Sequence, residues 1–140
     1  MNNPARVLII DDSVANIRLL AGILRDLADI SFATKGEQGI GMASDSLPDL
    51  ILLDVELPDG KGYDFCRRLK STPGTEPIPV LFISANIGEA HEVAALEAGG
   101  MDVISKPFNP PLVRRRVQTI LEWSRWGKIH HEECAFPDRA

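Results

Sequence analysis

The sequence predicts an α/β protein, a doubly wound (βα)5 fold whose five-stranded parallel sheet carries helices on both faces. Three observations predict it. Short unbroken apolar runs rich in branched residues recur along the chain, as strands buried on both faces require. Stretches of helical period lie between them. Each of four runs also ends in polar residues: Ile10 leads into Asp11-Asp12, Leu53 into Asp54, Ile83 into Ser84-Ala85, and Ser105 into Lys106-Pro107.

The first strand covers 6–10. Ser13 offers an N-cap, and Val14, Ile17, Leu20, Ile23 or Leu24, and Leu27 outline a helix over 14–27. Ile30-Ser31-Phe32-Ala33 alternates as a short second strand, and a helix weakened by Gly39 and Gly41 follows over 36–45. After the break at Pro48 comes the most apolar run, 50–53, then the turn Leu57-Pro58-Asp59-Gly60. Tyr63, Phe65, Cys66 and Leu69 mark the third helix. Strand four is 80–83, and helix four is 89–98 with Val93, Ala94, Leu96 and Ala98, ended by Gly99-Gly100. Strand five is 102–105. Pro110-Pro111 begins a fifth helix with an inner stripe of Val113, Val117, Ile120, Leu121 and Ser124.

In the flavodoxin-like strand order 2-1-3-4-5, ligands sit outside the carboxyl ends of strands 1 and 3, where the winding reverses. These are the two strands that end in aspartate. The length suits one domain, read as residues 1–124, with 125–140 a C-terminal tail of little periodicity and no second domain. In that tail, His130, His131 and Cys134 lack the paired cysteines of a zinc site. A formal charge of −5 argues against direct DNA binding by this chain. The two cysteines, Cys66 and Cys134, make no disulfide framework and fit a reducing compartment. No apolar stretch approaches the ~20 residues of a membrane span, so the expected location is cytoplasmic.

Asp54 ends a buried strand, and we read it as a nucleophile. Asp11, Asp12 and Asp54 at one rim would repel one another unless a hard divalent cation joins them, and the oxygen donors predict Mg²⁺, with Mn²⁺ as a substitute. Mg²⁺ in turn predicts a phosphoryl group. The Lys106 ammonium is placed to neutralise a phosphoryl oxygen, and the Ser84 hydroxyl and Ala85 amide are placed to donate to one.

The chain resembles the receiver domains of bacterial two-component response regulators, including the chemotaxis regulators, over residues 6 to about 122. The motifs are Leu8-Ile9-Ile10-Asp11-Asp12-Ser13, Leu52-Leu53-Asp54-Val55-Glu56-Leu57-Pro58 with Gly62, Ile83-Ser84-Ala85, and Ser105-Lys106-Pro107-Phe108. The resemblance implies a phosphorelay protein that accepts a phosphoryl group on Asp54 from the phosphohistidine of a sensor histidine kinase or a phosphotransfer protein. It implies that Asp12, Asp54 and the Glu56 backbone carbonyl bind Mg²⁺ directly, with Asp11 acting through water. It further implies that Ser84, Ala85 and Lys106 bind the phosphoryl oxygens, and that the Lys106–Pro107 bond is cis. Such a chain is a signalling phosphoacceptor that catalyses its own phosphorylation and decay, standing alone or as the N-terminal part of a longer regulator.

Glu56 and Asn86, two residues beyond Asp54 and Ser84, are expected to flank the hydrolytic water and set the lifetime of the phosphoryl group. Many receivers carry Tyr or Phe three residues before the lysine as a switch partner of the Ser/Thr; here that position is Val103. The face of helix 4, strand 5 and helix 5 is the expected output surface and a candidate homodimer interface, and Val103 puts the usual relay to it in doubt. The alternative is a phosphatase that forms an aspartyl-phosphate on a related α/β fold, but those carry Asp-x-Asp after one strand.

Overall fold

A computed structural model describes residues 4–86 and 88–129. Ten elements alternate: β1 (Ala5–Ile10), α1 (Val14–Leu24), β2 (Ala28–Ala33), α2 (Gly36–Ser46), β3 (Leu50–Asp54), α3 (Gly62–Lys70), β4 (Val80–Ser84), α4 (Glu89–Glu97), β5 (Asp102–Ser105) and α5 (Pro110–Ile129). Between β3 and α3, Glu56–Leu57 pairs antiparallel with Gly60–Lys61. The five strands form one parallel sheet in the order β2-β1-β3-β4-β5, as the sequence predicts. His130, His131 and Cys134 lie outside the described residues.

Alternation along the central strands sends successive side chains to opposite layers. Val7, Ile9, Leu50 and Leu52 meet α1 and α5, while Leu8, Ile10, Ile51, Leu53 and Phe82 meet the layer containing Phe65, Cys66 and Ala95. Both faces of β1 and β3 are therefore buried, which explains their unbroken apolar runs. Each such side chain contributes about 1.5–3 kcal/mol. Cys66 is fully buried, and burial pushes its thiol up to about 11.

Several boundaries differ from expectation. α1 ends at Leu24 rather than near 27, and β2 begins at Ala28 rather than 30. The cause is pairing: β2 matches β1 residue for residue from Ala5↔Ala28 to Ile10↔Ala33. α5 continues to Ile129, five residues beyond the expected end of the domain at 124. Val14, Val93 and Leu96, among the apolar residues that mark α1 and α4 in the sequence, are exposed. α4 buries Ala95 instead, with its cap Ala98.

Glycine is required where backbones meet. A Cβ on Gly62 would overlap the Asp54 carbonyl oxygen, and the Gly62 amide donates to the Val55 carbonyl at 2.6 Å. Gly39 faces the Ile10 side chain just as tightly, so its presence inside α2 reflects packing rather than a weak helix. α2 has no side-chain cap of its own at Lys35. The Asp59 carboxylate from the β3–α3 loop serves instead, accepting from the Gly36 and Glu37 amides at 2.8 and 3.0 Å. The Glu37 amide, first, and the Gly36 amide hold its pKa below the usual carboxylate value.

Gly62→Ala is expected to lower unfolding free energy in urea by about 1–3 kcal/mol, the range for overpacking. Gly41→Ala, where a Cβ meets nothing, is expected to raise it by about 0.5–1 kcal/mol, the ordinary gain for alanine in a helix.

Candidate functional site

Four strand ends build one rim. Asp11 follows β1, Asp54 closes β3, Ser84 closes β4 and Lys106 follows β5. Backbone hydrogen bonds carry the sheet one step beyond its ladders and tie these ends together. The Asp11 amide donates to Ala33 at 3.1 Å, the Val55 amide to Ile83 at 3.0 Å, and the Lys106 amide to Ser84 at 2.9 Å. The Lys106–Pro107 bond is cis.

The rim gathers three aspartates. Carboxylate oxygens of Asp11, Asp12 and Asp54 lie within 4.8 Å of one another. Asp11 and Asp54 are buried and Asp12 is exposed. Both buried carboxylates are held. Asp54 Oδ1 accepts the Glu56 amide at 3.0 Å, and Oδ2 accepts the Lys106 ammonium at 2.9 Å. Asp11 Oδ1 accepts the Ser13 amide at 2.8 Å, and Oδ2 accepts the Asn16 side-chain amide at 3.3 Å, with Lys106 Nζ at 3.8 Å.

One cation faces two buried anions, and the titration behaviour follows. Loss of solvation raises the Asp11 pKa from 3.8 to about 6; the Ser13 amide opposes that rise, the Asp54 charge adds to it, and the Lys106 charge opposes it. Burial would lower the Lys106 pKa, but its bond to Asp54 and the attraction of Asp11 and Asp54 outweigh burial and raise it. Three hard oxygen donors at this spacing, with a charge deficit beside them, fit a small divalent cation that keeps several waters.

Of the remaining predicted residues, Ser84 closes β4 with Ala85 and Asn86 after it, Glu56 lies two residues beyond β3, and Val103 lies within β5. The Ser84 hydroxyl donates to the Asn86 carbonyl at 2.7 Å and accepts the Asn86 amide at 3.0 Å, so it is engaged in its own turn. Ala85 and Asn86 are exposed. The Glu56 carboxylate is exposed and bound by Lys61 Nζ at 2.7 Å. Val103 is partly buried against the layer containing Phe82 and Tyr63, and its carbonyl accepts from Arg116 at 3.3 Å.

Sequence reasoning does not single out Asn16 or Lys61. Asn16 has a signal: it stands three residues after the Ser13 cap, a position from which a polar side chain reaches back toward the helix start. Lys61 has none, because its partnership with Glu56 depends on the small ladder between β3 and α3.

The response regulator receiver domain model matches residues 7–118. The chain is 39% identical over 117 residues to response regulator PleD of Caulobacter vibrioides, covering 83% of this chain and 26% of PleD. It is 34% identical over 128 residues to the transcriptional regulatory protein CpxR of Klebsiella pneumoniae, covering 88% of this chain and 52% of CpxR. The chain thus spans between about a quarter and half of these relatives' lengths. Its fold is similar to a two-component response regulator from Clostridium difficile, with a TM-score of 0.78 and 28% identity, covering 84% of this chain and 96% of that one. It is similar also to the BeF3-activated DrrB receiver domain, with a TM-score of 0.75 and 27% identity, covering 86% of this chain and 99% of that one. With the receiver model matched across most of its length, from β1 into α5, this chain belongs to the response regulator receiver family.

Proposed function

We propose that Asp54 accepts a phosphoryl group from the phosphohistidine of a sensor histidine kinase or a phosphotransfer protein, in an Mg²⁺-dependent reaction (Mn²⁺ can substitute), and that the chain later releases it as phosphate. One observation carries this reading: a buried Asp54 carboxylate beside Lys106 at 2.9 Å and two more aspartates, in a receiver-family chain. Asp12, Asp54 and the Glu56 backbone carbonyl are the direct ligands in this reading, with Asp11 acting through water. The ion, when bound, supplies positive charge against the anionic phosphoryl oxygens.

An Asp54 carboxylate oxygen attacks phosphorus in line. The O–P bond forms as the P–N bond breaks, and the imidazole keeps the bonding pair. The Lys106 ammonium neutralises an equatorial oxygen, and the Ala85 amide donates to another. The Ser84 hydroxyl must leave the Asn86 carbonyl to donate as well, and that exchange is the first conformational step. Hydrolysis runs the other way: water attacks phosphorus, Asp54 leaves as carboxylate, and inorganic phosphate departs. Glu56 and Asn86 flank the water's approach and set the rate.

The chain is therefore a signalling phosphoacceptor that catalyses its own phosphorylation and dephosphorylation. Val103 leaves it without the usual aromatic reporter, so output depends on α4 and the β4–α4 loop. In this reading the homodimer forms through α4, β5 and α5, and exposed Val93, Leu96 and Met101 provide apolar surface for it. Among the described residues, no helix is long and apolar enough to cross a membrane.

Incubation with acetyl phosphate and Mg²⁺ is expected to add one phosphoryl mass, and Asp54→Asn to abolish the addition. A wild-type protein unmodified by acetyl phosphate, and unchanged spectroscopically by beryllium fluoride, would sink the reading. Glu56 and Asn86 variants are expected to change the first-order decay of the phospho-protein by about 10-fold, less than the ~10²–10⁴-fold of a group that transfers the proton itself; decay at the wild-type rate in both would remove them from that role.

Asp11 also sets a pH dependence. Its folded pKa is raised, so folding favours the protonated form, and stability from this group is present below pH 3.8 and lost as pH rises to about 6. Asp11→Asn in metal-free buffer is thus expected to be more stable than wild type at pH 7 by on the order of 2 kcal/mol. In urea titrations the difference should vanish as pH falls below 4.

A further inference from the structure

We propose that Asn16 is a positioning residue for the divalent-cation site, holding the Asp11 carboxylate through its side-chain amide. The inference rests on the cation reading above and concerns a residue that touches neither ion nor phosphoryl group. Asp11 is wholly buried, and a buried carboxylate that lacks a donor on either oxygen is costly. Its two oxygens are served separately, by the Ser13 backbone and by Asn16 Nδ2. An ionised carboxylate only accepts, so the Asn16 amide must present its NH₂.

The Ser13 bond alone leaves the carboxylate free to turn about its Cβ–Cγ axis. Asn16 supplies the second point and fixes the plane. Asn16 is itself held, because its backbone amide donates to the Ser13 hydroxyl at 3.2 Å at the start of α1. Asp11, Ser13 and Asn16 thus form one short unit in which the helix cap positions the holder and the holder positions the acid. Lys106 Nζ, at 3.8 Å from the same Asp11 oxygen, competes for it and is bonded more closely to Asp54. Removing Asn16 lets Asp11 turn toward Lys106. Groups that orient a metal ligand without touching the metal commonly affect affinity by about 10–100-fold.

The test is calorimetric titration of Mg²⁺ alone into the unphosphorylated full chain. The proteins are wild type, Asn16→Leu (nearly isosteric, without a donor), Asn16→Gln (donor kept) and Arg18→Ala, an exposed α1 control. Thermal melts in EDTA report stability without the ion. The expected result is a Kd for Mg²⁺ about 10-fold weaker in Asn16→Leu, at least partly recovered in Asn16→Gln and unchanged in Arg18→Ala. The EDTA melt of Asn16→Leu is expected below that of wild type, since Asp11 Oδ2 loses its donor, and affinities are compared among variants that are folded at the titration temperature. Asn16→Ala repeats the measurement should the leucine variant not fold. Wild-type affinity in Asn16→Leu or Asn16→Ala would overturn the proposal, as would a loss in Asn16→Gln equal to that in Asn16→Leu. Failure of wild type to bind Mg²⁺ at all would remove the cation reading itself, a distinct outcome.

Discussion

Two buried carboxylates facing one ammonium form the constraint on which the rest of the structure depends. Asp11 and Asp54 lose solvation at the end of the sheet, and their charges add where the surroundings screen them least. Lys106 offsets only part of this, being bonded to Asp54 and more distant from Asp11. A fold that merely maximised stability would not place them so. The arrangement is maintained by the parallel sheet, whose strand ends bring residues remote in sequence to one rim, and by local donors from Ser13, Asn16 and Glu56. In the proposed reading, this unmet charge is what a divalent cation would neutralise.

The strands are legible in the sequence because both faces of each central strand are buried, which leaves an unbroken apolar run. The functional corner is legible for the same reason: a polar residue ending such a run stands out, and Asp54, Ser84 and Lys106 all do. Helix phase is less legible. α4 contains few large apolar residues, and alanines rather than Val93 and Leu96 face the core. The two glycines of α2 look alike in sequence, yet Gly39 faces Ile10 and Gly41 meets nothing. Bonds that cross a turn, such as Asn16 to Asp11 or Lys61 to Glu56, depend on rotamers and loop geometry that residue type does not specify.

Val103 illustrates a residue whose chemistry is easier to read than its consequence. Its branched side chain suits a strand, where it stands opposite Phe82 on β4 and is partly buried against the same core layer. The neighbouring aromatic contact is carried by α3 instead, where Tyr63 meets Phe82 edge-on at 5.2 Å and its hydroxyl lies 3.4 Å from His91 Nδ1 on α4. A connection between the core and α4 therefore exists without an aromatic residue on β5.

The Asp59 clamp gives the site a mechanical asymmetry. On one side, Asp59 binds the start of α2, Gly62 locks the start of α3 against Asp54, and Glu37 pairs with Arg68 between the two helices. On the other side, α4 begins at Gly88 with no side-chain cap and buries little beyond Ala95. The corner resembles a vice with one jaw bolted down. In the proposed reading, strain from phosphorylating Asp54 would be taken up through Ser84 and Asn86 toward α4, the side with fewer ties.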